Sequence, residues 1–156
     1  MRIRFKPWAR PELEASKFYI DNPEDYKGKW KEVFNNDNPI HLELGCGKGS
    51  FMANLAVKNP DINYIAIDVV DAMLGLAKRN IEEKYKEENK EINNVVLTRF
   101  DIERILLIMN ENDNVERIYI NFNSLIYKHF FMFCLNIIPK VFFIFQIICL
   151  FYNFKA

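Results

Sequence analysis

The chain has 156 residues, half of them apolar, which suits one domain with a core of corresponding size. A formal net charge of zero hides an asymmetry: residues 123–156 carry three lysines and no acid, whereas residues 1–122 carry 18 basic and 21 acidic residues. The three cysteines have neither metal-ligand nor disulfide spacing, which excludes a disulfide-stapled secreted fold and a cysteine metal site.

The first 38 residues are predicted to form an extended lead-in to the domain. They are polar and aromatic, and their three prolines limit helix formation. The run Asn35–Pro39 marks the boundary before the first strand. The basic start, Met1–Trp8, has no apolar segment behind it, so we expect no signal peptide and a cytoplasmic protein.

The most informative segment follows, at Ile40–Ser50 (IHLELGCGKGS). An apolar run that ends in Glu43 is followed by three glycines at alternate positions, Gly45, Gly47 and Gly49, and then by a helix-starting serine. A strand that leads through a glycine-rich turn into a helix builds a site for a nucleotide-like ligand. The glycines allow the backbone to approach the ligand, and the first amides of the helix face it.

The spacing of these glycines indicates which class of nucleotide-like ligand is expected. The pattern G-x-G-x-G differs from the dinucleotide fingerprint G-x-G-x-x-G, in which the third glycine serves packing beside a pyrophosphate. Glu43 at the loop entrance would repel a pyrophosphate but suits a cationic amino group, such as that of the methionine part of S-adenosylmethionine. We therefore expect S-adenosylmethionine rather than a nicotinamide cofactor. A tight turn without a ligand is the alternative.

The next strand adds a second acid to the predicted site. A helix is expected from about Ser50 to Val57, followed by a strand at Tyr64–Asp68. Asp68 lies about twenty residues beyond the glycines, where a ribose diol would be held, because a carboxylate can accept both hydroxyl protons. Taken alone, Asp68 could equally cap the next helix. Together with Glu43 and the glycine loop, it is expected to bind ribose.

The remaining elements continue the alternation of strands and helices. A long helix is predicted from Asp71 to about Asn89, with a charged and solvated outer face. A strand follows at Val95–Thr98, a helix at Ile102–Asn110 and a strand at Arg117–Phe122. Asp101 could accept a hydrogen bond from an adenine amino group or cap the helix after it, and both interpretations stay open. The alternation predicts a doubly wound parallel sheet.

The segment 123–156 has a different composition from everything before it. It holds eight of the 14 phenylalanines and no glycine, acid or arginine. Its longest apolar run, Val141–Tyr152, has about 12 residues, whereas a single membrane span needs roughly 20. Our preferred hypothesis is that this tail is an out-of-frame or misjoined translation of an AT-rich gene. A membrane or interfacial anchor is the alternative.

Five segments of the first 122 residues carry a family resemblance: Met1–Ala9 (MRIRFKPWA), Asn22–Trp30 (NPEDYKGKW), Asn38–Gly49 (NPIHLELGCGKG), Asn59–Tyr64 (NPDINY) and Arg117–Phe122 (RIYINF). With them the chain resembles the bacterial tRNA (guanine-N7-)-methyltransferase family. The resemblance implies a class I, Rossmann-like fold and methyl transfer from S-adenosylmethionine to N7 of a guanine in the tRNA variable loop. It also implies cofactor binding at Glu43, Asp68 and Asp101.

The resemblance ends near Phe122. The family continues with Pro-Trp-Pro and a basic cluster, whereas this chain reads NSLIYKH, and the family acid proposed to be catalytic would fall at about Ser124. The distal Thr-Asp segment and the last strands of the family sheet are also absent, so the expected fold is incomplete at its carboxyl end. The expected organisation is a basic and aromatic lead-in (1–38), the cofactor-binding part of the domain (39–122) and an aberrant tail (123–156). An inactive remnant that binds S-adenosylmethionine is the alternative function, and no catalytic residue is assigned.

The partner implied is tRNA. Basic and aromatic residues of the lead-in could contact its phosphates and stack on its bases; they are Arg2, Arg4, Lys6, Trp8, Arg10, Lys27, Lys29, Trp30 and Lys31. A solvated basic segment is the alternative. Cys46 is interpreted as a small loop side chain rather than a nucleophile, and no metal is expected.

Overall fold

The computed structural model describes residues 4–120, and both ends of the chain, including the tail and Ser124, lie outside them. Its α-helices are Ala9–Glu14 (α1), Trp30–Phe34 (α2), Ser50–Lys58 (α3) and Asp71–Glu87 (α4). Its strands are Tyr19–Ile20 (β1), Ile40–Leu44 (β2), Asn63–Asp68 (β3), Val95–Arg99 (β4) and Val115–Ile120 (β5).

The five strands form one sheet in the order β1-β4-β3-β2-β5, and every pairing is parallel. From β2 the chain builds outward through β3 to β4, and it then crosses back to place β5 on the other side of β2. Ligands of open parallel sheets bind outside the carboxyl ends of the strands where the strand order reverses in this way. The predicted parallel α/β sheet is confirmed, and the glycine loop after β2 lies at the reversal.

Both faces of the sheet are covered, as is usual for parallel strands. Side chains of a strand point alternately to its two faces. Leu42 and Leu44 therefore pack with Trp30 of α2 on one face, whereas Tyr64 and Ala66 pack on the other face in a cluster with residues of α3 and α4.

The N-terminal segment is folded into the domain, so the prediction of an extended lead-in was wrong. It contains α1, β1, a 3-10 turn at Pro23–Tyr26 and α2, and β1 pairs with β4 through Tyr19 and Leu97. Leu13 and Trp30 are fully buried. The prolines did not prevent this because a proline is tolerated in the first turn of a helix, where its missing N–H has no intrahelical partner to lose.

The predicted elements from α3 to β4 agree with the structure to within about two residues. The helix predicted at Ile102–Asn110 begins at the predicted residue, but it is a 3-10 helix that ends at Leu107, and a second 3-10 helix follows at Glu111–Asp113. Arg104 has non-helical φ and ψ angles, and Asn110 starts a new turn with a capping box. The last strand begins at Val115, two residues before its predicted start.

Among residues 4–120, no helix is both long and apolar enough to cross a membrane.

Candidate functional site

The glycine loop adopts the backbone conformation that its sequence requires. Gly45, Gly47 and Gly49 have φ angles of 71°, 56° and 68°, in the left-handed region that favours glycine. The amides of Gly45 and Cys46 both donate to the carbonyl of Ile67, at 2.8 and 2.9 Å. The first half of the loop is therefore fixed to the end of β3.

Two of these glycines have different surroundings. A Cβ added at Gly47 would meet nothing within 4 Å, whereas a Cβ at Gly49 would lie 2.6 Å from the Cβ of Ala77 in α4. Gly47 therefore borders open space that a ligand can occupy, and Gly49 allows α3 and α4 to approach closely. The sequence pattern alone did not separate these two uses of a glycine.

Glu43 reaches this loop from inside the sheet. It is 1% exposed, and it lies in register between Ala66 of β3 and Tyr119 of β5 near the carboxyl end of β2. Burial, followed by the carboxylates of Glu43 and Asp68, raises the pKa of the Cys46 thiol well above its usual range. Cys46 is therefore held as a thiol, which agrees with its interpretation as a small loop residue and not as a nucleophile.

Asp68 connects the end of β3 to the glycine loop. Its Oδ2 accepts from the amide of Gly47 and its Oδ1 accepts from the amide of Val70, both at 2.9 Å. Helix α4 begins at Asp71, and its N-cap residue, Val70, makes no side-chain capping bond. The carboxylate thus holds the loop and the turn after β3, and it does not cap α4.

Asp101 is exposed and caps the 3-10 turn at Ile102–Leu107, where it accepts from the amide of Glu103 at 3.0 Å. The capping interpretation is therefore realised. Asp101 follows β4, whose last residue, Arg99, is in register with Asp68. The three predicted acids thus lie near, at and just beyond the carboxyl ends of the neighbouring strands β2, β3 and β4.

The basic residues of the lead-in are only partly available to a partner. Trp30 is fully buried and donates from Nε1 to the carbonyl of Ile108 at 2.7 Å, so the prediction that it stacks on bases was wrong. Arg10 is engaged by Glu14 and Asp21. Further contacts involve Lys31 with Asp37 and Trp8 with the Arg79 guanidinium. Of the described basic residues that were predicted to contact tRNA, Arg4, Lys27 and Lys29 are exposed.

A buried aromatic cluster lies beside Glu43, on the same face of the sheet. His41 is 6% exposed, its Nδ1 lies 3.3 Å from the hydroxyl of Tyr119, and its ring meets Tyr64 edge to face. Burial, followed by the charge of Arg117, lowers the pKa of His41 to about 4. This cluster was not predicted from the sequence, although His41 stands between two apolar residues of a predicted strand.

The depressed pKa of His41 predicts that acid destabilises the fold. In the unfolded chain His41 has the ordinary histidine pKa of about 6.5. Between that pH and about 4, the unfolded chain therefore binds a proton at His41 that the folded chain does not bind. The stability contribution is present above about pH 6.5 and is lost as the pH falls to about 4, by up to ~3 kcal/mol. Urea unfolding from about pH 7 to 4.5 measures this loss, and His41→Gln is the control. Equal losses in the two proteins would show that another group is responsible.

Among the described residues, no group of three His, Cys, Asp or Glu side chains could hold a metal ion. The carboxyl edge of the sheet instead presents the carboxylates of Glu43 and Asp68 beside the backbone of the glycine loop. A parallel sheet with this loop after β2, and an acid at the end of the neighbouring strand β3, has the architecture of a class I, Rossmann-like methyltransferase.

The comparisons agree with that class. A family model described as "Putative methyltransferase" matches residues 37–124, and the chain belongs to this family. It is 63% identical over 122 residues to a tRNA (guanine-N(7)-)-methyltransferase of Clostridium beijerinckii and 62% identical to that of Clostridium botulinum. Each match covers 78% of this chain and 56% of the relative, so the chain spans little more than half the length of these proteins.

A solved structure described as an "Antibiotic Related Methyltransferase" aligns with a TM-score of 0.49 and 22% sequence identity. The alignment covers 66% of this chain and 48% of the solved methyltransferase chain.

Proposed function

We propose that this chain binds S-adenosylmethionine at the carboxyl edge of β2 and β3 and serves methyl transfer to N7 of a guanine in tRNA. The observation that carries the proposal is the open space at Gly47, bordered by a loop that the Asp68 carboxylate fixes in place. The identity to tRNA (guanine-N(7)-)-methyltransferases over 122 residues supports the choice of substrate.

The residues present fit the proposed cofactor. Glu43 supplies a buried negative charge for the methionine ammonium group, and Asp68 supplies acceptors for the ribose hydroxyls. The backbone at Gly45 and Gly47 allows close approach. Asp101 is proposed to accept from the adenine amino group through carboxylate lone pairs not used in its capping bond.

The proposed methyl transfer depends mainly on how the cofactor and the guanine are positioned. The cofactor supplies a methyl group on a sulfonium centre, and guanine N7 has an exposed lone pair, so no proton has to be removed before attack. The protein's contribution is to hold the methionine and ribose parts still and to exclude misaligned poses. The exposed cations Arg4, Lys27 and Lys29 are proposed to contact tRNA phosphates, whose neutralisation makes such binding sensitive to salt.

Glu43→Gln is the variant that tests the cofactor site. Removing one charge from a charge-assisted pair is expected to weaken S-adenosylmethionine binding by about 10- to 100-fold, because such hydrogen bonds contribute about 1.5–3 kcal/mol. Isothermal titration calorimetry measures the change. Glu116→Gln, an exposed glutamate of β5, is the matched control and should bind as the unaltered protein does.

A binding titration and a methyl-transfer assay distinguish the proposed function from its two alternatives. Tighter binding of NAD than of S-adenosylmethionine would contradict the proposal and favour an oxidoreductase. Cofactor binding without methylation of an unmodified tRNA transcript would favour a cofactor-binding remnant. Radiolabelled methyl transfer to the transcript, lost when the target guanine is replaced by 7-deazaguanosine, would support the methyltransferase.

A further inference from the structure

We infer that Asp68 is a positioning residue for the glycine loop in addition to a ribose ligand, which is an inference that rests on the proposed function. The Gly47 amide donates to Asp68 Oδ2 across 21 residues of sequence, at 2.9 Å. This bond makes the conformation of the loop depend on the same carboxylate that meets the ligand.

The carboxylate has the capacity for both tasks. An ionised carboxylate offers about four lone-pair sites, two on each oxygen. The Gly47 amide occupies one site on Oδ2, and the Val70 amide occupies one site on Oδ1. One site therefore remains on each oxygen, which matches the two hydroxyls of a ribose diol. The two backbone bonds also fix the orientation of the carboxylate before a ligand arrives.

The middle of the loop depends on this bond more than its two ends do. At the first end, the amides of Gly45 and Cys46 are held by the carbonyl of Ile67. At the second end, Asn80 Nδ2 donates to the carbonyl of Lys48 at 2.8 Å, and Gly49 is packed against α4. Between them, Gly47 borders open space, and its amide donates to Asp68. The carbonyl of the same peptide, that of Cys46, accepts from the Gly49 amide at 2.9 Å. Without the bond to Asp68, this peptide keeps its bond within the loop and loses its bond to the end of β3.

Asp68→Asn is expected to impair both the binding of the ribose and the positioning of the glycine loop. An asparagine side chain keeps one acceptor oxygen, and its NH₂ group would face one of the two backbone donors that the carboxylate now accepts from. The loop amide at Gly47 or the turn amide at Val70 then loses its partner. Hydrogen bonds to charged groups are stronger than neutral ones. Loss of the carboxylate charge therefore weakens the anchoring of the loop even when no diol is bound.

The deciding experiment is a cycle between protein and ligand. Binding of S-adenosylhomocysteine and of its 2′,3′-dideoxy analogue is measured for the full chain and for Asp68→Asn. If Asp68 also positions the loop, the variant binds the dideoxy analogue about tenfold or more weakly than the unaltered protein does. Equal affinity of the two proteins for the dideoxy analogue would overturn the inference. Asp61→Asn, an exposed aspartate before β3, is the matched control.

A measurement without ligand keeps the two proposals separate. In labelled protein, a scalar coupling between the Gly47 amide nitrogen and the Asp68 carboxyl carbon reports the bond directly. The Gly47 amide is expected to exchange with solvent about tenfold or more faster in Asp68→Asn, while the Ala53 amide of α3 is unchanged. Absence of the coupling in the unaltered protein would overturn the inference even if the variant fails to fold. If the protein binds no S-adenosylhomocysteine, the proposed function fails, and the coupling still decides the role of Asp68.

Discussion

Replacing Gly49 with alanine is expected to destabilise the fold by about 3 kcal/mol, through overpacking and a strained left-handed backbone. The added Cβ would lie 2.6 Å from the Cβ of Ala77 and 3.0 Å from its backbone Cα. Neither atom can move as the end of a flexible side chain can, so α3 and α4 would have to separate. Urea unfolding followed by circular dichroism measures the change in the free energy of unfolding.

Gly47→Ala is the matched control, since both glycines have a positive φ but differ in their surroundings. A Cβ at Gly47 meets nothing within 4 Å, so the expected cost is that of the left-handed backbone alone, about 1–2 kcal/mol. The same methyl group would stand in the space proposed for the cofactor, so its binding should be lost. Equal destabilisation by the two substitutions would contradict the different roles assigned to these glycines.

The central part of the fold could be predicted from the sequence because its signals are local. The strand Ile40–Leu44, the glycine spacing after it and the acid that ends β3 each constrain a few consecutive residues. Parallel pairing then brings the ends of neighbouring strands to one edge. The sequence therefore predicts these acids at one edge of the sheet.

The structure of the N-terminal segment could not be predicted because its partners are distant in sequence. Trp30 donates to the carbonyl of Ile108, 78 residues away, and β1 pairs with β4. A tryptophan between lysines is compatible with RNA stacking as well as with burial, and the local sequence does not separate the two. Burial of Trp30 was decided by tertiary packing.

Residue identity alone also left the role of Gly49 open. A glycine is required both where a ligand approaches and where another helix approaches, and the spacing after β2 is the same in the two cases. The contact with Ala77 belongs to α4, whose position on the sheet is a property of the whole fold. Asp101 was ambiguous for a related reason, because one carboxylate can cap a turn and still accept from a ligand.

Asp113 has a structural role that was not predicted from the sequence. It is fully buried, and its two carboxylate oxygens accept from three backbone amides: Oδ2 from Gly28 and Asn110 at 3.0 and 2.8 Å, and Oδ1 from Trp30 at 3.2 Å. The capping box with Asn110 is visible in the sequence, but the bonds to Gly28 and Trp30 span more than 80 residues. Asp113 thus joins the N-terminal segment to the turn before β5.

Asp113→Asn is therefore expected to destabilise the fold by about 3 kcal/mol, because the asparagine NH₂ would face a buried backbone donor and leave it unpaired, and the remaining bonds would lose their charged acceptor. Both Lys27 and Lys29 flank the anchored glycine, so the substitution should also weaken tRNA binding if these lysines contact phosphates. Urea unfolding measures the first effect and a filter-binding titration the second.

Asp37→Asn provides the control for this change, since Asp37 is an exposed aspartate whose contact with Lys31 is a surface ion pair. Its side chain is 92% exposed, and surface pairs of this kind stabilise by about 0–1 kcal/mol at most. A small effect at Asp37 together with a large one at Asp113 would locate the stabilisation in the buried carboxylate. If Asp113→Asn unfolds at the same urea concentration as Asp37→Asn, the N-terminal segment is held by apolar packing around Trp30, and the three amide bonds contribute little.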